Sequence, residues 1–303
     1  MNSMPLDYVL GSPVSQKNGG LILHLAESVT RCVAFIAVQN PDTGEFSYGG
    51  TGFFVGYVDE DGHYGSYFVT AKHIAENVQG SDFLMRIGST KLLVCEARWA
   101  TLKSDLSVDV AVTPYYPPAD AGAERFPGEH FLTKDKMGSK RIGFGDQVYV
   151  AGFYPLHPGE GKNRPIVHTG HIAMMPDSEE RFSVRNWLGP VEGYLVEAQT
   201  LSGLSGSPAF VRRSIMVQKT EESGTPPLAY GAVFLLGLWM ASYDGIPSEE
   251  LAKEPQVAAR QLKHQPIEAP VGTGIVVPAY KIMELLNSPE LKNERRARHE
   301  GVT

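Results

Sequence analysis

The chain has 303 residues, 42% hydrophobic and 20% charged, a balance that excludes a disordered chain and suits one or two packed domains. Lys and Arg total 27 against 34 Asp and Glu, a net charge of −7, and an acidic chain lacks the basic face that general nucleic-acid binding needs. The only two cysteines, Cys32 and Cys95, exclude a disulfide-dense scaffold and a four-thiolate zinc site.

The first 20 residues carry one basic residue, Lys17, and no apolar stretch with a small-residue cleavage site. No signal peptide is expected, and residues 1–29 read as a leader. Gly (32) and Pro (21) are spread along the chain, which marks many short strands and turns. Apolar, β-branched runs predict strands over 32–38, 51–57 and 64–70, with Asp61-Gly62 as a turn before the last. Strands over 91–99 and 109–113 complete a first group, residues 30–113. Residues 114–144 are rich in Pro and charge, hold no sustained period, and read as an interdomain linker.

A second group, residues 145–278, has strands predicted over 146–153, 167–174, 181–185, 193–198, 207–212, 230–239 and 272–277. Loops fall at 154–165 and 219–227, and an insert at 243–270. Residues 279–286 read as a helix, with Ile282, Leu285 and Leu286 on one face. The basic run 292–299 also holds Glu294 and reads as a solvated helix end in the tail 279–303. The longest apolar run, 232–241, is too short for a bilayer, which takes about 20 residues. The expectation is an all-β, non-membrane, cytoplasmic protein of two antiparallel barrels or sandwiches and a terminal helix.

Three segments carry chemistry. Ser205 stands in Gly203-Leu204-Ser205-Gly206-Ser207-Pro208, between two predicted strands. A serine attacks only when a base takes its proton, and the oxyanion it creates needs donors. Flanking glycines let main-chain N–H groups converge on one point, although the same segment also reads as a plain Gly/Ser turn. His73 follows an apolar strand at the start of a short helical stretch. Asp109 opens the run Asp109-Val110-Ala111-Val112, where an aspartate either starts a turn or orients a histidine. Asp105 is its rival, and Asp109 is preferred because the apolar run begins directly after it. The order is His, Asp, Ser, the first two 36 positions apart and the last two 96 positions apart. His73 and Asp109 therefore fall in the first group, Ser205 in the second, and the site in the cleft between. His168 and His171 lie on a predicted strand, and no HExxH occurs, which leaves little for a metal hydrolase.

In these segments the chain resembles the trypsin/chymotrypsin superfamily, above all bacterial trypsin-like peptidases and HtrA-type protease domains. Thr70-Ala71-Lys72-His73, Asp109-Val110-Ala111-Val112 and Gly203-Leu204-Ser205-Gly206-Ser207-Pro208 carry the likeness, and 145–153 and 272–278 extend it. The resemblance implies two antiparallel six-stranded β-barrels with a C-terminal helix, without a following peptide-binding domain. It implies a serine endopeptidase with Ser205 as nucleophile, His73 as base and then acid, and Asp109 holding the histidine. The amides of Gly203 and Ser205 would form the oxyanion hole, with no cofactor or metal and a protein or peptide as substrate. By family position Gln199, Thr200, Trp239, Met240, Ala241 and Gly274 would line an uncharged pocket for small or medium apolar residues. Leu204 stands where digestive members of the family carry an aspartate that pairs with a new N-terminus, so no activating cleavage is expected. The insert 243–270 reads either as a tolerated surface insertion or as a lid or docking place for a regulatory partner. The competing function is a protease-like module that binds peptides or proteins without cutting them.

Overall fold

The computed structural model describes residues 27–39, 46–80, 82–94, 97–153, 159, 161–184, 189–198, 203–216, 229–242 and 272–301. The leader, the insert 243–270, the loop 219–227, Cys95, Gln199 and Thr200 lie outside these residues or almost wholly so.

The first sheet is built from β1 (Val33–Gln39), β2 (Phe46–Val58), β3 (Tyr64–Thr70), β4 (Phe83–Ile87), β5 (Thr90–Val94), β6 (Ala100–Thr101), β7 (Ala111–Pro114) and β8 (Phe126–Pro127). Its order is β5-β4-β1-β2-β3-β7-β6, with β8 running parallel beside β2. Six of the seven residues of β3 are buried, so this strand is covered on both faces and reads as a continuous apolar run rather than an alternation. The second unit is a closed barrel of β9 (Gln147–Gly152), β10 (Ile166–Met174), β11 (Tyr194–Ala198), β12 (Pro208–Met216), β13 (Ala229–Ser242) and β14 (Thr273–Pro278). Its strands run in the order β10-β11-β14-β13-β12-β9. Val148, Val150, Val196, Ala209, Leu236 and Trp239 fall in one buried cluster. Alternate residues of the same strands, among them Tyr149, Ala151, Phe210, Leu235 and Met240, join a larger cluster that includes the core of the first sheet. The two-residue period of each strand thus serves two cores.

The structure departs from the sequence expectations in several places. Strand β4 was not foreseen; its Arg86 is buried beneath the rings of Phe35 and Tyr48 and bonded to Asn163. Of the strand expected over 181–185, the described residues 181–184 form none: Phe182 makes only an isolated bridge to Val191, and Arg181 turns to Asp105. The stretch 114–144 is no bare linker. It holds β8 and helix α2 (Lys134–Lys140), capped by the Thr133 side chain, and buries Phe126, Phe131 and Leu132 between the units.

Helix α1 (Lys72–Val78) follows β3, and α3 (Ala279–Leu286) follows β14 and buries Ile282, Leu285 and Leu286 as its apolar stripe requires. Helix α4 (Pro289–His299) corrects the solvated-tail reading. Lys292, Arg296 and Arg298 do face outward, but Arg295 is fully buried. Its Nε donates to Asp59 Oδ2 at 3.0 Å and its Nη1 to Tyr67 and to the Leu286 carbonyl. Helix α4 is thereby fastened to β3 and to the turn that follows β2. No helix among the described residues is long and apolar enough to cross a membrane.

Candidate active site

His73 is the second residue of α1. Ala71, in extended conformation, caps the helix without a side-chain bond, so the strand-to-helix change falls directly before the histidine. Asp109 lies in the connection from β6 to β7 and is wholly buried. Its Oδ1 accepts from the His73 main-chain N–H at 3.0 Å, and its Oδ2 lies 2.7 Å from His73 Nδ1. One carboxylate thus holds both the backbone and the ring. In neutral histidine this arrangement puts the proton on Nδ1 and leaves Nε2 as the basic nitrogen.

Asp105, four residues earlier, belongs to a different constellation. It accepts from the Ser107 amide and hydroxyl, pairs with Arg181 at 2.8 Å, and lies 3.8 Å from Lys281. Lys281 also pairs with the buried Glu192 at 3.1 Å, and Lys134 and Tyr280 contact the same carboxylate. This network ties the first sheet to the barrel and to α3. Burial alone would raise the pKa of Asp105 and Glu192. Bonds from Ser107 and Arg181 to the former, and from Tyr280 and Lys281 to the latter, outweigh it and hold both below the ordinary carboxylate range.

Ser205 sits in a tight turn between the end of β11 and β12. Gly203 and Gly206 both have φ near +90° (91° and 84°), a region that side chains with a Cβ rarely enter. A Cβ on Gly206 would also stand 2.0 Å from the Thr51 carbonyl oxygen, so only glycine lets this turn meet the first sheet. The turn is pinned by Ser207 N to Leu204 O (2.8 Å), Gly206 N to Trp239 O (2.9 Å) and Trp239 N to Ser207 O (2.8 Å). Ser205 Oγ donates to the Met240 carbonyl at 3.1 Å. Across the cleft, Thr51 N donates to the Ser205 carbonyl at 3.1 Å. Thr70, three residues before His73, donates its hydroxyl to the Thr51 carbonyl at 2.7 Å. The serine turn therefore rests on the two strands that lead into the histidine helix. From the sequence Thr51 is only a strand residue; its contacts join residues more than 100 positions apart, which no local pattern shows.

Of the expected pocket residues, Trp239 and Gly274 meet: the indole lies so close over Gly274 that a Cβ there would fall 1.9 Å from the ring. Trp239 and Leu204 are buried in the barrel core. Met240 offers the site its carbonyl, while its side chain packs in the larger cluster, and Ala241 is half-buried. His168 and His171 both lie on β10, where residues three apart face opposite sides and cannot share a metal. Asp59, Asp61 and His63 approach one another, but Asp59 Oδ2 is taken by Arg295 and Oδ1 by the amides of Asp61 and His63. Cys32 is buried, which pushes its thiol up and leaves it unreactive.

A closed six-stranded barrel beside a second sheet, with His73 and Asp109 on connections of the sheet, Ser205 at the barrel's edge and a helix after the last strand, defines a chymotrypsin-like fold. No family model and no curated protein matches the chain. Among solved structures it is similar to the inactive form of the Rv3671c protease, at 18% identity over 85% of this chain and 88% of that one, TM-score 0.43. It is also similar to the HtrA-type protease AlgW with a decapeptide (15%, 85% and 65%, TM-score 0.44). A third likeness is to catalytically inactive tobacco etch virus protease complexed with substrate (13%, 86% and 85%, TM-score 0.44). These likenesses concern the fold and carry nothing about activity.

Proposed function

We propose that the protein is a serine endopeptidase working through an acyl-enzyme. The observation that supports this most is the doubly held His73, bonded to Asp109 through both ring and backbone, just past the strand whose Thr70 holds Thr51, on which the Ser205 turn rests. In this reading Ser205 Oγ attacks the scissile carbonyl carbon as His73 Nε2 removes its proton. The carbonyl oxygen becomes an oxyanion held by the amides of Gly203 and Ser205. His73 then protonates the departing amine, the C–N bond breaks and an ester to Ser205 remains. Water, deprotonated by His73, attacks that ester and releases the acid and the serine. Asp109 keeps its negative charge throughout and stabilises the imidazolium.

Trp239 and Leu204 fill the barrel beside Ser205, which supports a restricted, uncharged primary pocket and cleavage after small or medium apolar residues. A buried free thiol at Cys32 accords with a reducing, cytoplasmic setting.

One observation favours the competing reading of a silent binding module: the Ser205 hydroxyl donates to the Met240 carbonyl. A fluorophosphonate probe separates the two. Labelling of the folded protein at Ser205, abolished in Ser205→Ala and in His73→Ala, is expected. Absence of labelling in folded wild-type protein would leave only the binding module.

A further inference from the structure

Three peptide planes make up the serine turn, and each is fixed by a different partner. The Ser205–Gly206 plane is held at both ends, its carbonyl by Thr51 N and its N–H by the Trp239 carbonyl. The Leu204–Ser205 plane is held by Ser207 N on the Leu204 carbonyl, at 2.8 Å. In a trans peptide the C=O and N–H point in opposite directions, so this bond turns the Ser205 N–H away from the turn's interior. The Gly203–Leu204 plane is held by a side chain: Thr51 Oγ1 donates to the Gly203 carbonyl at 3.0 Å. The same oxygen accepts from Phe153 N, directly after β9, also at 3.0 Å. One side chain of the first sheet, wholly buried, thus bridges the serine turn and the segment that leaves β9 of the barrel.

We infer that Thr51 is a positioning residue: its hydroxyl fixes the Gly203–Leu204 plane, which lies between the Gly203 and Ser205 amides that face the oxyanion. The inference rests on the serine-endopeptidase reading. The residue itself touches no reacting atom. It acts by holding the carbonyl next to one of the two donors, so that a productive oxyanion site exists only where the first sheet is docked on the barrel. The hydroxyl gives one bond and receives one, so its removal takes a partner from both the Gly203 carbonyl and the Phe153 amide. The carbonyl of Thr51 adds a second tie, since it accepts from Thr70 Oγ1 on the strand leading to His73. Base and oxyanion donors are therefore registered against the same residue.

The test compares wild type, Thr51→Val and Thr51→Ser with N-acetyl-alanine p-nitrophenyl ester and a fluorophosphonate probe. Valine keeps the shape and removes the hydroxyl; serine keeps the hydroxyl. Direct loss of an oxyanion donor costs about 100–1,000-fold. Displacing one should cost Thr51→Val about 10–100-fold in kcat, with KM within about three-fold of wild type. Labelling should slow in parallel, and Thr51→Ser should recover kcat to within about three-fold of wild type. Wild-type kcat in a folded Thr51→Val, or a Thr51→Ser as impaired as valine, overturns the inference while leaving the endopeptidase reading intact. Should Thr51→Val not fold, Thr51→Ala carries the same criteria. If neither folds while Thr51→Ser does, the hydroxyl is a tie for folding alone and the positioning role is overturned. A wild type that neither labels nor hydrolyses overturns the endopeptidase reading itself, and this inference with it.

Discussion

Asp105 and Asp109 stand four residues apart in the same connection, both acidic, both drawn out of water, and they do different work. Asp109 faces one histidine and holds it twice; Asp105 faces Arg181, Lys281 and a serine, and joins the Glu192 network between the two units. The difference lies in the partner. A carboxylate against a titratable ring can steer a proton, whereas one against guanidinium and ammonium groups can only hold position. The largest test of this contrast is Asp109→Asn. It should lower kcat by about ten-thousand-fold, because an amide opposite Nδ1 favours the wrong tautomer, while the melting temperature stays near wild type. Asp105→Asn should leave kcat within about three-fold. The opposite ranking in steady-state assays would exchange the two roles.

Much of this contrast was within reach of the sequence. The order His73, Asp109, Ser205, strand β3 and helix α3 were readable because strand and helix periods, and glycines around a serine, are local signals. The choice of Asp109 over Asp105 rests on the apolar run that follows it; in the structure it is Asp109 that lies against the His73 ring. The network was not readable. Arg181, Glu192 and Lys281 come from three separate segments, and a lone charge in sequence looks like a solvated one. The same blindness hid β4, where aromatic rings and an asparagine bury Arg86, and Arg295, which Asp59 and Tyr67 draw into the core. Buried charges are legible only with their partners, and the partners are distant.

The network should next be visible as pH dependence of stability. Asp105 and Glu192 both titrate below their ordinary range when folded, so folding binds fewer protons than the unfolded chain does. Their stabilisation is complete above the unfolded carboxylate values, about pH 4, and is lost as pH falls through the depressed folded values. Urea midpoints should therefore fall between about pH 5 and pH 3, and the fall should flatten in an Asp105→Asn/Glu192→Gln double variant. An equally steep fall in that variant would move the acid sensitivity elsewhere. At neutral pH, Glu192→Gln alone should cost about 2–4 kcal/mol, since Lys281 would lose its nearest counter-charge.

The smallest effect sharpens the contrast between charges that hold and charges that merely sit nearby. Glu192 has two lysine partners at almost the same distance, Lys281 at 3.1 Å and Lys134 at 3.2 Å. Coulomb's law in a uniform medium would rank them equally. Their surroundings differ: the Lys281 side chain is 11% exposed and that of Lys134 is 58% exposed. Water screens the second pair, and Lys134 must also give up side-chain freedom to stay over the Tyr280 ring. Lys281→Met should therefore cost about 2–4 kcal/mol by leaving Glu192 buried and under-paired, and Lys134→Met less than about 0.5 kcal/mol. Chemical denaturation of the two variants at low and high salt reads the distinction. Only the small contribution of Lys134 should shrink further in salt, because counter-ions reach a pair in water and not one enclosed by α3 and the barrel. Equal losses in the two variants would mean that distance, not burial, sets what these charges are worth.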